Sequence, residues 1–440
     1  MQPGTPFRFA PGRLASLFHV VWGQVLLAFV AIAGVRVYTE LLDTAEFGYA
    51  MLALGGYTLL DGLVVMAFSQ TLALYCSRQK EAEARRSLAA GLYLACLRWW
   101  LMLSPVVVAG VAAFCLLTGR GGISAILLSL STCLYLAAET AKAAMTTLLN
   151  VDSEHARFSA WIVAEACVCF AAVTGALWFG PRDAATFIHA YVIAKIATTV
   201  FFHHRFYGGR FFLSVDRSVL SACRAEALRY GLPFSVMAVI GWLGSYVDRY
   251  ILNFAAAPGT VGVYAAAAGT IGRPFAISGA ILSNYFRPIL FRLTSQDNAA
   301  QAQAVFRAWC AAAAFTGVMG MLGVHYLGPH LLPFLLARPY REGAVTIMLI
   351  LSLGFSATIV CHALDNMIFA GGTSRSLVMP QVGSVVVGVV AVVILAGLHG
   401  AVGAAIGKVV GDVAKVLLTA LLLAARRRQA GKAEACGVAP

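Results

Sequence analysis

The chain has 440 residues, 60% hydrophobic and only 12% charged, against roughly 25% charged in an ordinary soluble domain, which excludes a water-soluble fold. Apolar runs of about 20 residues recur from end to end, each long enough as a helix to cross roughly 30 Å of hydrocarbon, and their continuity excludes an outer-membrane barrel, whose strands are about half polar. The formal charge of +13 follows from membrane topology, because such chains hold Lys and Arg in cytoplasmic loops, so the basic balance does not indicate nucleic acid as a partner.

In chain order, residues 1–13 carry Pro3, Pro6 and Pro11 and lack a small-residue cleavage site, so no removed signal peptide is expected. Twelve spans follow, at 14–35, 48–74, 95–117, 123–148, 158–179, 184–202, 230–253, 261–286, 305–327, 344–369, 377–398 and 401–425. An even number puts both termini on one side. The segments of that side hold twenty Lys and Arg and those of the other side five, which marks the first as cytoplasmic. The expected fold is all-α, a polytopic membrane protein of about 12 transmembrane helices in two pseudo-symmetric six-helix lobes. Its parts are an N-terminal lobe (1–203), a cytoplasmic linker (204–229) and a C-terminal lobe (230–440) ending in a short basic tail. The longest external loop is 328–343; with no extramembrane domain to hold substrate in water, a glycan polymerase or ligase is disfavoured.

The halves echo each other. Arg36-Val37-Tyr38 precedes Phe47-Gly48-Tyr49-Ala50, and Arg249-Tyr250 precedes Val261-Gly262-Val263-Tyr264-Ala265, with spacings that agree to one residue. The echo reads either as an internal repeat, which would put a substrate site near the midplane, or as chance similarity among apolar helices.

An ionisable residue at the centre of a span costs on the order of 3 kcal/mol, so it faces a partner or a cavity. The spans hold seven bases, Arg98, Lys142, Lys195, Arg249, Arg273, Lys408 and Lys415, and six acids, Asp61, Glu139, Glu165, Asp248, Asp365 and Asp412. Glu139 with Lys142, Lys408 with Asp412, and Asp412 with Lys415 stand three or four apart, on shared helix faces, and read either as internal neutralisation or as substrate contacts. Arg273 has no acid one turn away and precedes Pro274. Its partner is a substrate anion, Asp61, or the membrane interface reached by snorkelling. Asp248 and Arg249, adjacent and so about 100° apart on the helix, read as a gate or tie, or as part of the binding site. Tyr38, Tyr57, Trp242, Tyr246, Tyr250 and Tyr264 read as an interfacial belt or as sugar-stacking platforms. Gly403, Gly407 and Gly411, four apart, predict close helix packing.

Ten scattered cysteines give no disulfide framework, and no histidine group has metal-ligand spacing, so neither a metal nor a cofactor is expected. The absence of a Walker A pattern argues that this chain does not hydrolyse ATP. Ser77-Arg78-Gln79-Lys80 does not match the basic hairpin of major-facilitator transporters.

Tyr230-Gly231-Leu232-Pro233, Asp248-Arg249-Tyr250-Ile251-Leu252 and Val261-Gly262-Val263-Tyr264-Ala265, together with Glu46-Phe47-Gly48-Tyr49 in the first half, resemble the signature of Wzx-type polysaccharide flippases. These belong to the multidrug, oligosaccharidyl-lipid and polysaccharide exporter (MOP) superfamily. The resemblance implies two lobes around a cavity lined by spans 1, 2, 7 and 8, and a bacterial inner-membrane protein. It would carry an undecaprenyl-pyrophosphate-linked oligosaccharide to the outer leaflet by ion-coupled alternating access. Lipid-linked oligosaccharide, membrane lipid, and a glycan polymerase and glycosyltransferases of the same pathway are the implied partners. On this reading Arg273, Arg249, Arg36, Lys142, Tyr38 and Tyr264 contact substrate, and Asp61, Asp248, Asp365 and Glu139 serve ion coupling or gating. A drug or cation antiporter of the same superfamily is the alternative.

Overall fold

The computed structural model describes residues 11–117, 123–209, 211, 217–296, 298–371 and 374–435, and among them the regular structure is entirely helical. The helices are α1 (Pro11–Leu41), α2 (Thr44–Leu60), α3 (Ala67–Arg78), α4 (Ala82–Leu117), α5 (Ile123–Val151), α6 (His155–Phe179), α7 (Ala184–Tyr207), α8 (Arg217–Ala255), α9 (Pro258–Ser295), α10 (Ala299–Leu335), α11 (Ala344–Ala370) and α12 (Val378–Ala435). Ten stretches are long and apolar enough to cross a membrane, with α2 and α3 counted as one continuous span through a π-helical turn, Asp61–Met66. Helix α5, which buries Glu139 and Lys142, is also of membrane length, and Gly400 breaks α12 into two arms, so twelve membrane-length segments are present among the described residues.

Glycine explains the break in α12. Gly400 adopts φ 55°, a left-handed backbone that side chains disfavour. The chain then folds back, and a Cβ on Gly407 would stand 2.5 Å from the Val392 amide nitrogen, one on Gly411 2.9 Å from the Gly388 Cα. The four-residue glycine spacing is thus a packing stripe, as its periodicity predicts.

The chain forms two compact units: Met1–Gly34 with Ala53–Val239, and Val35–Leu52 with Ile240–Pro440. The division falls inside α1, α2 and α8. In the first unit α4 packs on α5, and α5 and α6 on α7, over a core that includes Leu72, Leu88, Met145, Trp161 and Phe202. In the second, α9, α10 and α12 surround α11, and the core includes Leu290, Phe306, Trp309 and Leu364. The turn 336–343 is tied to the α1–α2 corner: Tyr340 donates its hydroxyl to the carbonyls of Leu42 (2.9 Å) and Asp43 (2.7 Å), and the Ala337 amide donates to Thr39 Oγ1 at 3.2 Å.

Candidate functional site

The π-helical turn begins at Asp61. A π turn breaks the regular i to i+4 ladder, and such single-turn insertions recur at functional sites. Here the loosened backbone is held by α8: Ser235 Oγ donates to the Leu63 carbonyl at 2.5 Å, and Gly62 lets Ala238 approach so closely that a Cβ on Gly62 would lie 2.9 Å from the Ala238 Cβ. Asp61 Oδ2 accepts a hydrogen bond from the Tyr135 hydroxyl at 2.6 Å, while Oδ1 is buried with no hydrogen-bond partner.

Tyr135 opens a polar face on α5. Tyr135, Glu139 and Lys142 stand at i, i+4 and i+7, one above another on a helix. Glu165 from α6 and Lys195 from α7 complete a buried quartet, each side chain only about a tenth exposed. Lys142 pairs with Glu139 and, at 3.0 Å, with Glu165 Oε1; Lys195 reaches Glu139 Oε2 at 2.9 Å and Glu165 Oε1 at 2.8 Å. Two acids and two bases cancel, which is what burial in a low-dielectric bundle demands. The Lys195 ammonium also lies over the rings of Tyr191 (5.5 Å) and Tyr135 (5.9 Å), and Tyr57 stacks on Tyr135 at 4.3 Å. Asp61 is therefore an acid attached through Tyr135 to an already neutral cluster, with one oxygen held and one vacant. A carboxylate so placed can accept a proton or coordinate a small cation.

The site residues expected from sequence fall in three settings. Glu139 and Lys142 belong to the quartet, the internal pairing their spacing allowed; Glu165 and Lys195 join from other helices, a partnership that no local spacing reveals. In the second unit Asp248 (4% exposed) and Tyr264 (fully buried) are joined by a hydrogen bond from the phenol to Oδ2. Arg249 stacks on Tyr246 at 4.8 Å, with its Nε buried and unpartnered. Asp365 pairs with Lys415 at 3.4 Å; Lys408 lies 3.4 Å from Asp412 and donates to the Gly244 carbonyl at 3.1 Å. Arg36 pairs with Glu40 one turn on, and Tyr38 is half-buried.

Arg273 is different. It is exposed and makes no ion pair among the described residues. On α9 it heads a stripe of exposed residues, Arg273, Ala276, Ala280, Asn284 and Arg287, that repeat at helical spacing, while Ile271, Phe275 and Gly279 on another face are buried. Ile281 (57% exposed) and Tyr285 (63% exposed) flank this stripe, so the exposed side of α9 mixes polar with large apolar side chains.

No family model matches the sequence, and no curated protein matches it. Solved structures do match in fold. The chain is similar to the lipid II flippase MurJ in an inward closed conformation, with a TM-score of 0.72 and 11% identity over 93% of this chain and 87% of that one. An inward-facing multidrug resistance MATE family transporter of the MOP superfamily gives a TM-score of 0.71 and 14% identity, covering 94% and 96%. A MOP superfamily transporter from Pyrococcus furiosus gives 0.61 and 14%, covering 93% and 95%. At such identities the likeness establishes the fold, an all-helical multi-pass membrane architecture shared with MOP-superfamily transporters.

Proposed function

We propose that this chain is a transporter, not an enzyme, that flips a lipid-linked oligosaccharide with an undecaprenyl pyrophosphate anchor from the cytoplasmic to the outer leaflet of a bacterial inner membrane. The product would feed surface polysaccharide synthesis, with a glycan polymerase and glycosyltransferases as pathway partners and both termini in the cytoplasm. The observation that carries this reading is Arg273: an exposed guanidinium with no ion pair among the described residues, on a small and polar stripe of α9, suits bidentate capture of a phosphate. Asp61, with its vacant oxygen at the start of the π turn, is the carboxylate through which an ion gradient would bias alternating access. Deleting the gene should leave lipid-linked oligosaccharide facing the cytoplasm, and the purified chain in vesicles should restore its movement; a normal leaflet distribution in the deletion strain would refute the proposal.

The drug or cation antiporter is the second reading, and the same vacant oxygen of Asp61 favours it, since a carboxylate suits a cationic substrate. Export of cationic dyes with unchanged surface glycan in the deletion strain would select it.

A further inference from the structure

Within the second unit, the neighbours of α11 divide it into three faces. Ser356 meets α10, where a Cβ on Gly317 would lie 2.7 Å from the Ser356 Cβ. Gly354 and Asp365 meet α12 through Asp412 and Lys415, and Phe355 and Ile359 meet α9 at Gly272 and Gly279. His362 falls between the last two faces: a Cβ on Gly279 would stand 3.4 Å from its Cδ2, and Asp365 follows it by one turn. On α9, Phe275 faces Gly320 of α10, whereas Ala276 and Ala280, both exposed, turn to the opposite flank, the one that borders this crevice.

His362 stands eight residues before the end of α11 at Ala370, about 12 Å along a helix of membrane length. It is exposed, and Asp365 and Lys415 keep 17% and 27% of their side chains accessible. At that depth three accessible ionisable groups face water or a polar ligand rather than acyl chains. Their charges narrow the choice. Asp365 and Lys415, 3.4 Å apart, form a neutral pair: the carboxylate repels a phosphate and the ammonium repels a cation. What the crevice presents is an acceptor, a donor and an imidazole able to be either, beside alanines that leave room for a ring. That set matches a neutral ligand dense in hydroxyls, each of which both donates and accepts.

We propose that His362, Asp365 and Lys415 form a saccharide subsite that hydrogen-bonds the ring hydroxyls of the sugar next to the pyrophosphate. The assignment rests on the flippase reading, with Arg273 on the phosphate. Arg273 precedes Gly279 by six residues on α9, about 9 Å along the axis, a separation bridged by a phosphate held at one end and a sugar hydroxyl held at the other.

The test is calorimetric titration of the purified full-length protein in nanodiscs with farnesyl pyrophosphate, either bare or esterified to glucose, galactose or N-acetylglucosamine. At least one glycosylated probe should bind roughly tenfold tighter than the bare one, the worth of about one hydrogen bond to a charged group. His362→Ala should cut that preference severalfold. Asp365→Asn combined with Lys415→Gln, which keeps the pair neutral, should do the same and leave the affinity for the bare probe unchanged, whereas Arg273→Ala should weaken all four probes alike. Parity of the four probes in the unaltered protein, or a full sugar preference in both crevice variants, overturns the inference and leaves the flippase reading standing. Loss of bare-probe affinity in the double variant also overturns it, by giving the crevice to the phosphate. Failure of every probe to bind overturns both.

Discussion

Gly48 and Gly262 meet backbone to backbone: a Cβ on Gly48 would stand 3.0 Å from the Gly262 amide nitrogen, and a Cβ on Gly262 1.9 Å from the Thr44 carbonyl oxygen. The two occupy equivalent places in the sequence echo, one near the start of α2 and the other near the start of α9, and both lie in the second unit. The repeat therefore converges on a helix crossing that only glycine permits.

Gly262→Ala is expected to destabilise the protein by about 2 kcal/mol or more, because the obstacle is backbone and cannot swing aside. Gly323→Ala, inside α10 with open space around the added methyl, should keep or slightly raise the unfolding temperature, since alanine favours the helix by about 0.5–1 kcal/mol. Thermal unfolding in one detergent compares them, and equal midpoints would dissolve the argument for the crossing.

Lys195→Met should unfold the first unit at lower temperature, by roughly 3–5 kcal/mol, since it strands a negative charge in a buried quartet. Adding Glu139→Gln to that variant should recover part of the loss, because the quartet returns to neutrality. A double variant no better than the single one would show that the four groups do not act as a neutral unit.

Asp61→Asn should preserve the fold and abolish the dependence of transport on an imposed ion gradient. Tyr135→Phe, which keeps the carboxylate but removes the donor to Oδ2, should weaken that dependence without eliminating it. Gradient-driven transport of full strength in Asp61→Asn vesicles would remove this carboxylate from the coupling step.

Arg273→Ala should reduce surface glycan at least tenfold at unchanged protein level, and Arg273→Lys should recover only part of it, because an ammonium lacks the bidentate fork. Normal glycan display with Arg273→Ala would take the guanidinium out of substrate binding.

Tyr264→Phe should cost about 1–3 kcal/mol, the penalty for depriving the buried Asp248 carboxylate of its donor. Asp248→Asn restores a neutral group able to bond the phenol and should cost less. Comparable loss of transport without loss of stability in both variants would instead mark the pair as a gate.

Much of the molecule was legible along the chain. Apolar runs of membrane length located the spans, and the Gly403, Gly407 and Gly411 spacing foretold the close return of α12 on itself. Glu139 with Lys142 and Lys408 with Asp412 were visible as pairs because three or four residues bring side chains onto one helix face. Asp412 and Lys415 satisfy the same rule, yet Lys415 turns to Asp365 on α11, since a neighbouring helix offers a carboxylate that the local spacing does not record.

What the sequence by itself determined is the solvent: a chain this poor in charge must place helices in hydrocarbon, and each ionisable residue within them must find a partner or water. Tertiary structure decided which partner. Only the packing of α5, α6 and α7 reveals that Lys142 and Lys195 neutralise Glu139 and Glu165, leaving Asp61 with an oxygen to spare. Electrostatic pairing depends on distance through space, and in a helical bundle that distance is set by which faces meet.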